Sequence, residues 1–274
     1  MTCTLLRSAT ACCVVLLASC ATAPTSRYSG MDSEQSLTVV AKERHRLIEQ
    51  FVDADAIGRS RRFAVPRVEV GANARGSGVS ETQAALVANN AGRALCSTLG
   101  KYIELDDTPD SDAPTARLVI TAIVPTGRAA AGASSVMGIF IPVPFRLPAG
   151  LGALAGEAEV RDGAGSQLAA MHWVRGANSV TNSAKVSTIG DAWQLARQFG
   201  NHFARVLLDA NPKVAGVQHA RAKASVQAAN RRICAARFGT VNLAGRGASL
   251  VLPLSPESID AGAPLPGKEE ATRP

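Results

Sequence analysis

Two alternating segments joined by an acidic-glycine turn constrain the fold of this chain more than any other feature. They read GALAGEAEVRD, residues 152–162, and SQLAAMHWVRGA, residues 166–177, with Asp162-Gly163 beginning the turn. An Asp-Gly pair between alternating runs is a strong hairpin signal, because these residues tolerate the positive φ angles of tight turns. The chain is therefore predicted to contain an antiparallel sheet.

The same alternation predicts two unlike faces on this hairpin. In the first strand Ala158 and Val160 would point one way, and Glu157, Glu159 and Arg161 the other. One face packed on a core and one face in water is the usual arrangement in antiparallel sheets. We therefore expect the two glutamates to be solvated.

Further strands and helices are predicted around the hairpin. Strands are expected at RFAVPRVEV (62–70), YIEL (102–105) and the β-branched ARLVITAIVP (116–125). The capping box SETQ, residues 80–83, begins a helix that Gly100 ends, and a second long helix should cover 189–210. Residues 32–57 have mixed periodicity, and we predict a helix there, although LTVV could equally be a strand.

This order of elements predicts an α+β fold. A small sheet of about five strands would carry helices on one face, as a two-layer sandwich. We place this domain at residues 32–212. Residues 213–274 are then expected to be a basic extension, helical over 215–237 and a disordered, proline-rich tail from 253.

The first 20 residues predict how the protein is addressed. The apolar run at 9–17 is too short to span a bilayer, which takes about 20 apolar residues. It ends in Leu17-Ala18-Ser19-Cys20, which resembles the bacterial lipobox. That resemblance implies cleavage of a signal peptide at residues 1–19, a diacylglyceryl group on the Cys20 sulfur and an acylated amino group. The alternative is an ordinary cleaved signal with an incidental cysteine.

Residues 20–31 would then be a lipidated tether, since they are small and polar and include a proline. In Gram-negative bacteria an aspartate after the lipidated cysteine favours inner-membrane retention, and here that residue is Ala21. By this resemblance we expect a lipid anchor in the outer membrane, with the protein facing the periplasm. Several acyl chains hold a protein on a membrane where one does not, since each buried CH₂ contributes about 0.8 kcal/mol.

Cysteine use and charge add two open questions. Beyond the signal and Cys20, only Cys96 and Cys234 remain, and in an oxidising compartment they would form a disulfide or stay as two buried thiols. The formal net charge of +7 falls by one when Arg7 leaves with the signal. That charge suits anionic headgroups or polymers, but an arginine-rich surface from a GC-rich genome explains it equally well.

No pattern in the sequence predicts an enzyme or a cofactor site. His45, His172, His202 and His219 have no second ligand at metal-binding spacing, and no HExxH, CxxC or GxSxG occurs. GLGALAG, residues 150–156, has the wrong spacing for a dinucleotide loop. Aromatic content of 4% without basic–aromatic interleaving argues against nucleic-acid binding. We expect no catalytic, cofactor or metal site.

The segment VMGIFIPVPFRLP, residues 136–148, is unusually apolar for a predicted loop. Its prolines keep it out of a central strand. Either it folds over the open face of the sheet, because apolar area is driven from water, or it is an exposed patch or pocket lining. The residues concerned are Ile139, Phe140, Ile141, Val143 and Phe145.

Residues from about 50 to 212 resemble domain of unknown function 3313, a family of bacterial lipoproteins. The resemblance rests on the lipobox, on FVDADAIGRSRRFAVPRVEV (51–70), on the segment PFRLPAGL to MHWVRGA (144–177) and on DAWQLARQFGNHFARVLL (191–208). It implies a periplasm-facing lipoprotein domain and supplies no activity and no catalytic residue. The extension from 213 departs from the family core.

Together these features predict a non-enzymatic lipoprotein, bound to the membrane through Cys20, that engages an envelope protein partner. The alternative is a lipoprotein that binds a small molecule or lipid in a pocket under residues 136–148. A closed concave pocket there would favour the second interpretation, and a flat exposed loop would favour the first.

Overall fold

The protein is described here by a computed structural model that covers residues 37–43, 45–107, 112–127, 151–178, 187–211, 221–242 and 254–263. The elements in chain order are β1 (Thr38–Glu43), β2 (Arg46–Val52), α1 (Ala54–Arg59), β3 (Arg62–Ala64), β4 (Glu69–Val70), α2 (Glu81–Leu99), β5 (Glu104–Asp106), β6 (Thr115–Val124), β7 (Ala153–Arg161), β8 (Gln167–Gly176), α3 (Gly190–Asp209), α4 (Ala224–Phe238) and α5 (Pro256–Ile259).

A single mixed sheet organises these elements. Its strand order is β1-β2-β8-β7-β6-β3-β5, with β4 beside β6. The strands from β1 to β6 along this order pair antiparallel, whereas β3, β4 and β5 pair parallel with their neighbours. The predicted α+β class is therefore observed, but the expectation of about five strands was wrong, because the described residues form a sheet of eight.

Two of the additional strands lie where a helix was predicted, within residues 32–57. The structure has β1 and β2 there, followed by the short α1. Ile48 of β2 lies opposite Trp173 of β8, and Phe51 lies opposite Ala170. Pairing with the hairpin therefore decides the conformation of a segment whose local periodicity was ambiguous.

The core lies between one face of the sheet and the two long helices. The Phe199 ring of α3 covers Gly156 of β7, where an added Cβ would lie 2.7 Å from the ring. The same ring lies 5.5 Å from that of Trp173, centroid to centroid. Gly200 brings α3 close to α2, since a Cβ there would lie 2.1 Å from the Ala91 carbonyl oxygen. α3 thus packs on the sheet and α2 packs alongside α3.

The opposite face of β7 carries charged residues, as the alternation predicts, but they are not solvated. Glu157 is 1% exposed and Glu159 is 3% exposed. Arg117 of β6 donates to Glu69 at 2.8 Å and to Glu159 at 3.2 Å. Hydrogen bonding to Glu69 raises the pKa of Arg117 against the opposing effect of burial. The expectation that this face is solvated was wrong, because Glu157 and Glu159 are buried and Glu159 is paired with Arg117.

The segment after α3 is part of the packed structure. A helix was predicted over 215–237, and α4 confirms it from Ala224 onward, whereas residues 221–223 are not helical. Phe238 of α4 is fully buried against Gly92 of α2. Residues 254–263 were predicted to be disordered, yet they form α5 and bury Ile259 and Asp260. Composition misled here because the buried groups are few and their partners are distant in sequence. Among the described residues no helix is both long and apolar enough to cross a membrane.

Candidate functional site

The main candidate site is a groove of about 1000 Å³ between α2, α3 and α4. Helix α2 supplies the floor of the groove. Helices α3 and α4 both contact α2 and supply the walls. On α3 the lining residues run from Arg197 to Asp209, twelve positions and therefore about 18 Å along the helix axis. The groove is long enough for a linear ligand and lies at the upper end of the volumes usual for small-molecule sites.

The groove is strongly basic, and we call it the basic groove. Its cations come from all three helices and their ends, with Arg197 and Arg205 on α3 and Arg231 on α4, and each of these three side chains is exposed. The further cations are Arg93, Lys101 and Arg221, and among the described lining residues Asp209 is the single acid. The site is therefore suited to an anionic ligand.

Neutral polar groups fix the floor between these cations. The Thr98 hydroxyl donates to the Asn201 side-chain oxygen at 2.8 Å, which ties α2 to α3. Asn230 of α4 donates to the carbonyls of Gly100 and Ile103, each at 2.9 Å, and accepts from the Leu105 amide at 3.0 Å. Asn230 is 2% exposed, so these bonds replace water for a buried amide and position α4.

One end of the basic groove is closed by an ion pair with the C-terminal segment. Arg93 donates to both Asp260 carboxylate oxygens, at 2.7 and 3.0 Å, and to the Phe238 carbonyl at 2.8 Å. The Trp193 ring N–H donates to Asp260 at 2.9 Å. Asp260 is buried, and its carboxylate accepts bonds from side chains of both α2 and α3. It therefore joins these two helices to the C-terminal segment at a single point.

Glu257 holds the same segment to the start of α2. Its carboxylate accepts from Gln83 at 2.8 Å and from the Ser187 hydroxyl at 2.9 Å. Burial would raise the pKa of Glu257, but hydrogen bonds from Gln83, its own backbone, Ser187 and Ser255 outweigh burial and hold that pKa below its usual value. The C-terminal segment is thus bonded to α2 and α3 through Asp260, and to Gln83 of α2 and Ser187 through Glu257.

The predicted cysteine pair lies in this groove. Cys96 on the floor and Cys234 on the α4 wall are joined by a disulfide, with Cα atoms 5.8 Å apart. That separation lies within the range a disulfide requires. The bond connects the two helices that shape the groove, and its formation in the cell stays a prediction.

A second group of ionisable residues lies on the charged face of the sheet. His172 is 2% exposed and its Nδ1 lies 3.0 Å from the Glu49 carboxylate, while Glu157 is its cross-strand neighbour on β7. We assign this group a structural part, because its members are enclosed within the sheet. No cluster of three metal-ligating side chains occurs among the residues that the structure covers.

The other site predictions fall elsewhere. Cys20 and the apolar segment with Ile139, Phe140, Ile141, Val143 and Phe145 lie outside the described residues. The pocket expected under that segment is therefore untested, whereas the basic groove was not predicted at all. The available signal was weak: Arg197 and Arg205 recur at helical spacing on α3, but only the fold brings Arg231 opposite them.

Comparisons with known proteins place the chain in a family. The profile of a family described as a protein of unknown function, DUF3313, matches residues 27–203. Two solved structures of PelC dodecamers from Paraburkholderia phytofirmans are similar to this chain at 14% identity and a TM-score of 0.38, covering 59% of this chain and 96% of each of theirs. No curated protein matches. Because the family profile spans well over half of the sequence, this chain belongs to the DUF3313 family of proteins of unknown function.

Proposed function

We propose that this protein is a non-enzymatic, lipid-anchored envelope lipoprotein whose basic groove docks an acidic segment of a periplasmic partner protein. The observation that carries the proposal is the groove itself, with cations on both walls against a single lining acid. Such a surface attracts anions over several ångströms and fixes them through charge-assisted hydrogen bonds.

The shape and the residue types of the groove support a linear acidic ligand. An extended chain covers at most 3.3–3.6 Å per residue, so a length of about 18 Å holds five or six residues. Most of the cations are arginines, whose planar guanidinium binds a carboxylate through two parallel bonds. A flat membrane surface could not enter between the walls, which favours a protein segment over lipid.

The anchor in this proposal is Cys20. Acylation there, followed by the tether at 20–31, would hold the domain at the outer membrane with the groove in the periplasm. Cys20→Ala should then leave the protein unprocessed or free of the membrane fraction. A Cys20→Ala protein that is processed normally and still fractionates with membranes would contradict this part of the proposal.

A charge reversal in the groove tests the docking role, with a neighbouring residue as control. Arg231 lines the groove, whereas the adjacent Arg232, which is also exposed, does not. Tagged full-length lipoprotein would be recovered from crosslinked envelopes as wild type, Arg231→Glu and Arg232→Glu. We expect the crosslinked partner to be lost at least tenfold with Arg231→Glu and retained with Arg232→Glu. Equal recovery from both variants would overturn the groove as the docking surface.

The alternative function, a lipid or small-molecule pocket under residues 136–148, predicts a different result in the same experiment. Neither arginine variant would change the recovered partners, and Phe140→Asp would abolish ligand uptake instead. Unchanged partner recovery with both arginine variants, together with loss of bound lipid or small molecule from Phe140→Asp, would therefore favour that alternative.

A further inference from the structure

A second cluster of cations lies at the end of the sheet beneath α3. Arg46 of β2 lies directly opposite Arg175 of β8 in the antiparallel register. Arg175 is two residues from Trp173, whose ring contacts Phe199 of α3, so both arginines lie on the helix-covered face. Side chains that are opposite in such a pair have Cβ atoms about 4.5–5.5 Å apart. The two arginine side chains therefore leave the sheet side by side.

Helix α3 adds two more basic groups to this cluster. His202 follows Phe199 by one turn, and Arg205 follows His202 by another. Burial lowers the pKa of His202, and Arg46, Arg205 and Arg175 lower it further. Burial likewise lowers the pKa of Arg175, and the charge of Arg46 adds to that effect, with Glu43 opposing both. The charges of Arg46, Arg175 and Arg205 therefore all act on His202.

The cluster holds bonding capacity that the fold leaves unused. The Nε atoms of Arg46 and Arg175 are buried, and neither has a hydrogen-bond partner within the described chain. The counter-charge near the two arginines is Glu43 of β1, whose carboxylate lies 2.9 Å from the Arg46 guanidinium and 3.6 Å from His45. Like charges placed opposite each other in a sheet are destabilising, and so are buried donors without acceptors. A bound anion would remove both costs.

We propose that Arg46, Arg175, His202 and Arg205 form a binding site for a phosphate monoester group. The charges match, because three guanidinium groups against Glu43 leave a surplus of two positive charges, and a phosphate monoester carries about −1.5 to −2 at pH 7. Its three terminal oxygens suit several guanidinium donors, since arginine binds phosphate through two parallel bonds. This site adjoins the basic groove, which Arg205 also lines, but Arg46, Arg175 and His202 do not line that groove, so the proposal does not depend on the docking proposal above.

The same chemistry is available from a soluble phosphate monoester and from a lipid headgroup. Calorimetric titration of the full-length protein in detergent with glycerol 3-phosphate tests the soluble source. Titration with dispersed phosphatidic acid tests the lipid source. Binding of glycerol 3-phosphate at least as tight as that of phosphatidic acid would support a soluble ligand, and binding of phosphatidic acid alone would support a headgroup. Binding of neither at millimolar concentration would overturn the proposal.

Substitutions separate this site from a merely structural cluster. Arg46→Gln and Arg175→Gln should each weaken binding at least tenfold, whereas the exposed Arg59→Gln should change it less than twofold. Without ligand, Arg175→Gln should raise the melting temperature by about 1–3 °C, because it relieves a like-charge pair. Equal affinities for wild type, Arg46→Gln and Arg175→Gln would overturn the site. So would a lower melting temperature together with unchanged binding.

A titration of His202 followed by NMR gives an independent signature. Sulfate, which stays dianionic over the relevant pH range, should raise the pKa of His202, since it offsets the field of Arg46, Arg175 and Arg205. Glu43 and His45 also face this cluster, and Glu43→Gln should strengthen the response by removing the competing carboxylate. A His202 titration that sulfate leaves unchanged would contradict the proposal.

Discussion

The residues matched by the family profile and the C-terminal segment beyond them look very different in sequence and yet share one core. Residues 27–203 contain the sheet, all of α2 and most of α3, with strong local patterns. Residues 221–242 are basic, residues 254–263 are mostly small and polar, and both ranges show little periodicity. Nevertheless Phe238 and Asn230 are as buried as the centre of the sheet.

This comparison teaches that the C-terminal segment belongs to the domain. It supplies the α4 wall of the basic groove, one half of the disulfide and the carboxylate that pairs with Arg93. The expected boundary at 212 was drawn where composition changes, but packing continues past it. A domain defined by the family profile alone would lack one wall of the candidate site.

Loss of the disulfide should produce the largest effect. Cys96 and Cys234 are 138 residues apart, and closing a loop of that length contributes about 5 kcal/mol in the chain-entropy model. We expect Cys96→Ser with Cys234→Ser to lower the free energy of unfolding by that order, measured by denaturant unfolding. The oxidised protein should also take up no thiol reagent before reduction. Uptake of two equivalents by protein isolated from cells without reduction would show that the bond does not form.

Phe238→Ala should cause the next largest loss of stability. Its ring is fully buried against Gly92, and removing such a ring leaves a cavity that typically costs about 3–5 kcal/mol. Ile233 is a partly buried residue on the same helix and provides the control. Ile233→Ala should lower the free energy of unfolding clearly less than Phe238→Ala. If both variants melted like wild type, α4 would not be part of the cooperative core.

The smallest expected effect is a change in the acid dependence of stability when Glu257 is replaced. Because the folded pKa of Glu257 is lowered, its stabilising contribution is complete above the ordinary value of 4.5 and is lost as pH falls through the folded pKa. Glu257→Gln should therefore weaken the pH dependence of the melting temperature below about pH 4.5. The exposed Glu104→Gln serves as the matched control. Identical acid profiles for wild type and Glu257→Gln would show that this carboxylate does not hold the segment.

Features encoded by neighbouring residues were predicted well. Ser80 accepts from the Gln83 amide at 3.2 Å while Gln83 reaches back, so the capping box marks the start of α2 correctly. Asp162 accepts from the Ala164 and Ser166 amides and so builds the predicted hairpin turn. Such signals need no knowledge of the rest of the fold, because every partner lies within four residues.

Features that depend on distant partners were missed. Arg93 and Asp260 are 167 residues apart, and neither position shows a local pattern that would pair them. Whether β1 and β2 are strands depends on β8, about 120 residues further along the chain. The basic groove likewise needs Lys101 in the turn after α2, Arg205 on α3 and Arg231 on α4. Single-sequence periodicity reports which face of an element is apolar, and it cannot report what covers that face.

Native-state hydrogen exchange of the full-length protein tests most directly whether the C-terminal segment and the family-matched core form one unit. Amides near Cys234 in α4 and near Leu95 in α2 would be followed by mass spectrometry at increasing denaturant. We predict that both sets open with the same free energy and the same denaturant dependence. Exchange of α4 at a much lower free energy, while α2 stays protected, would contradict the account.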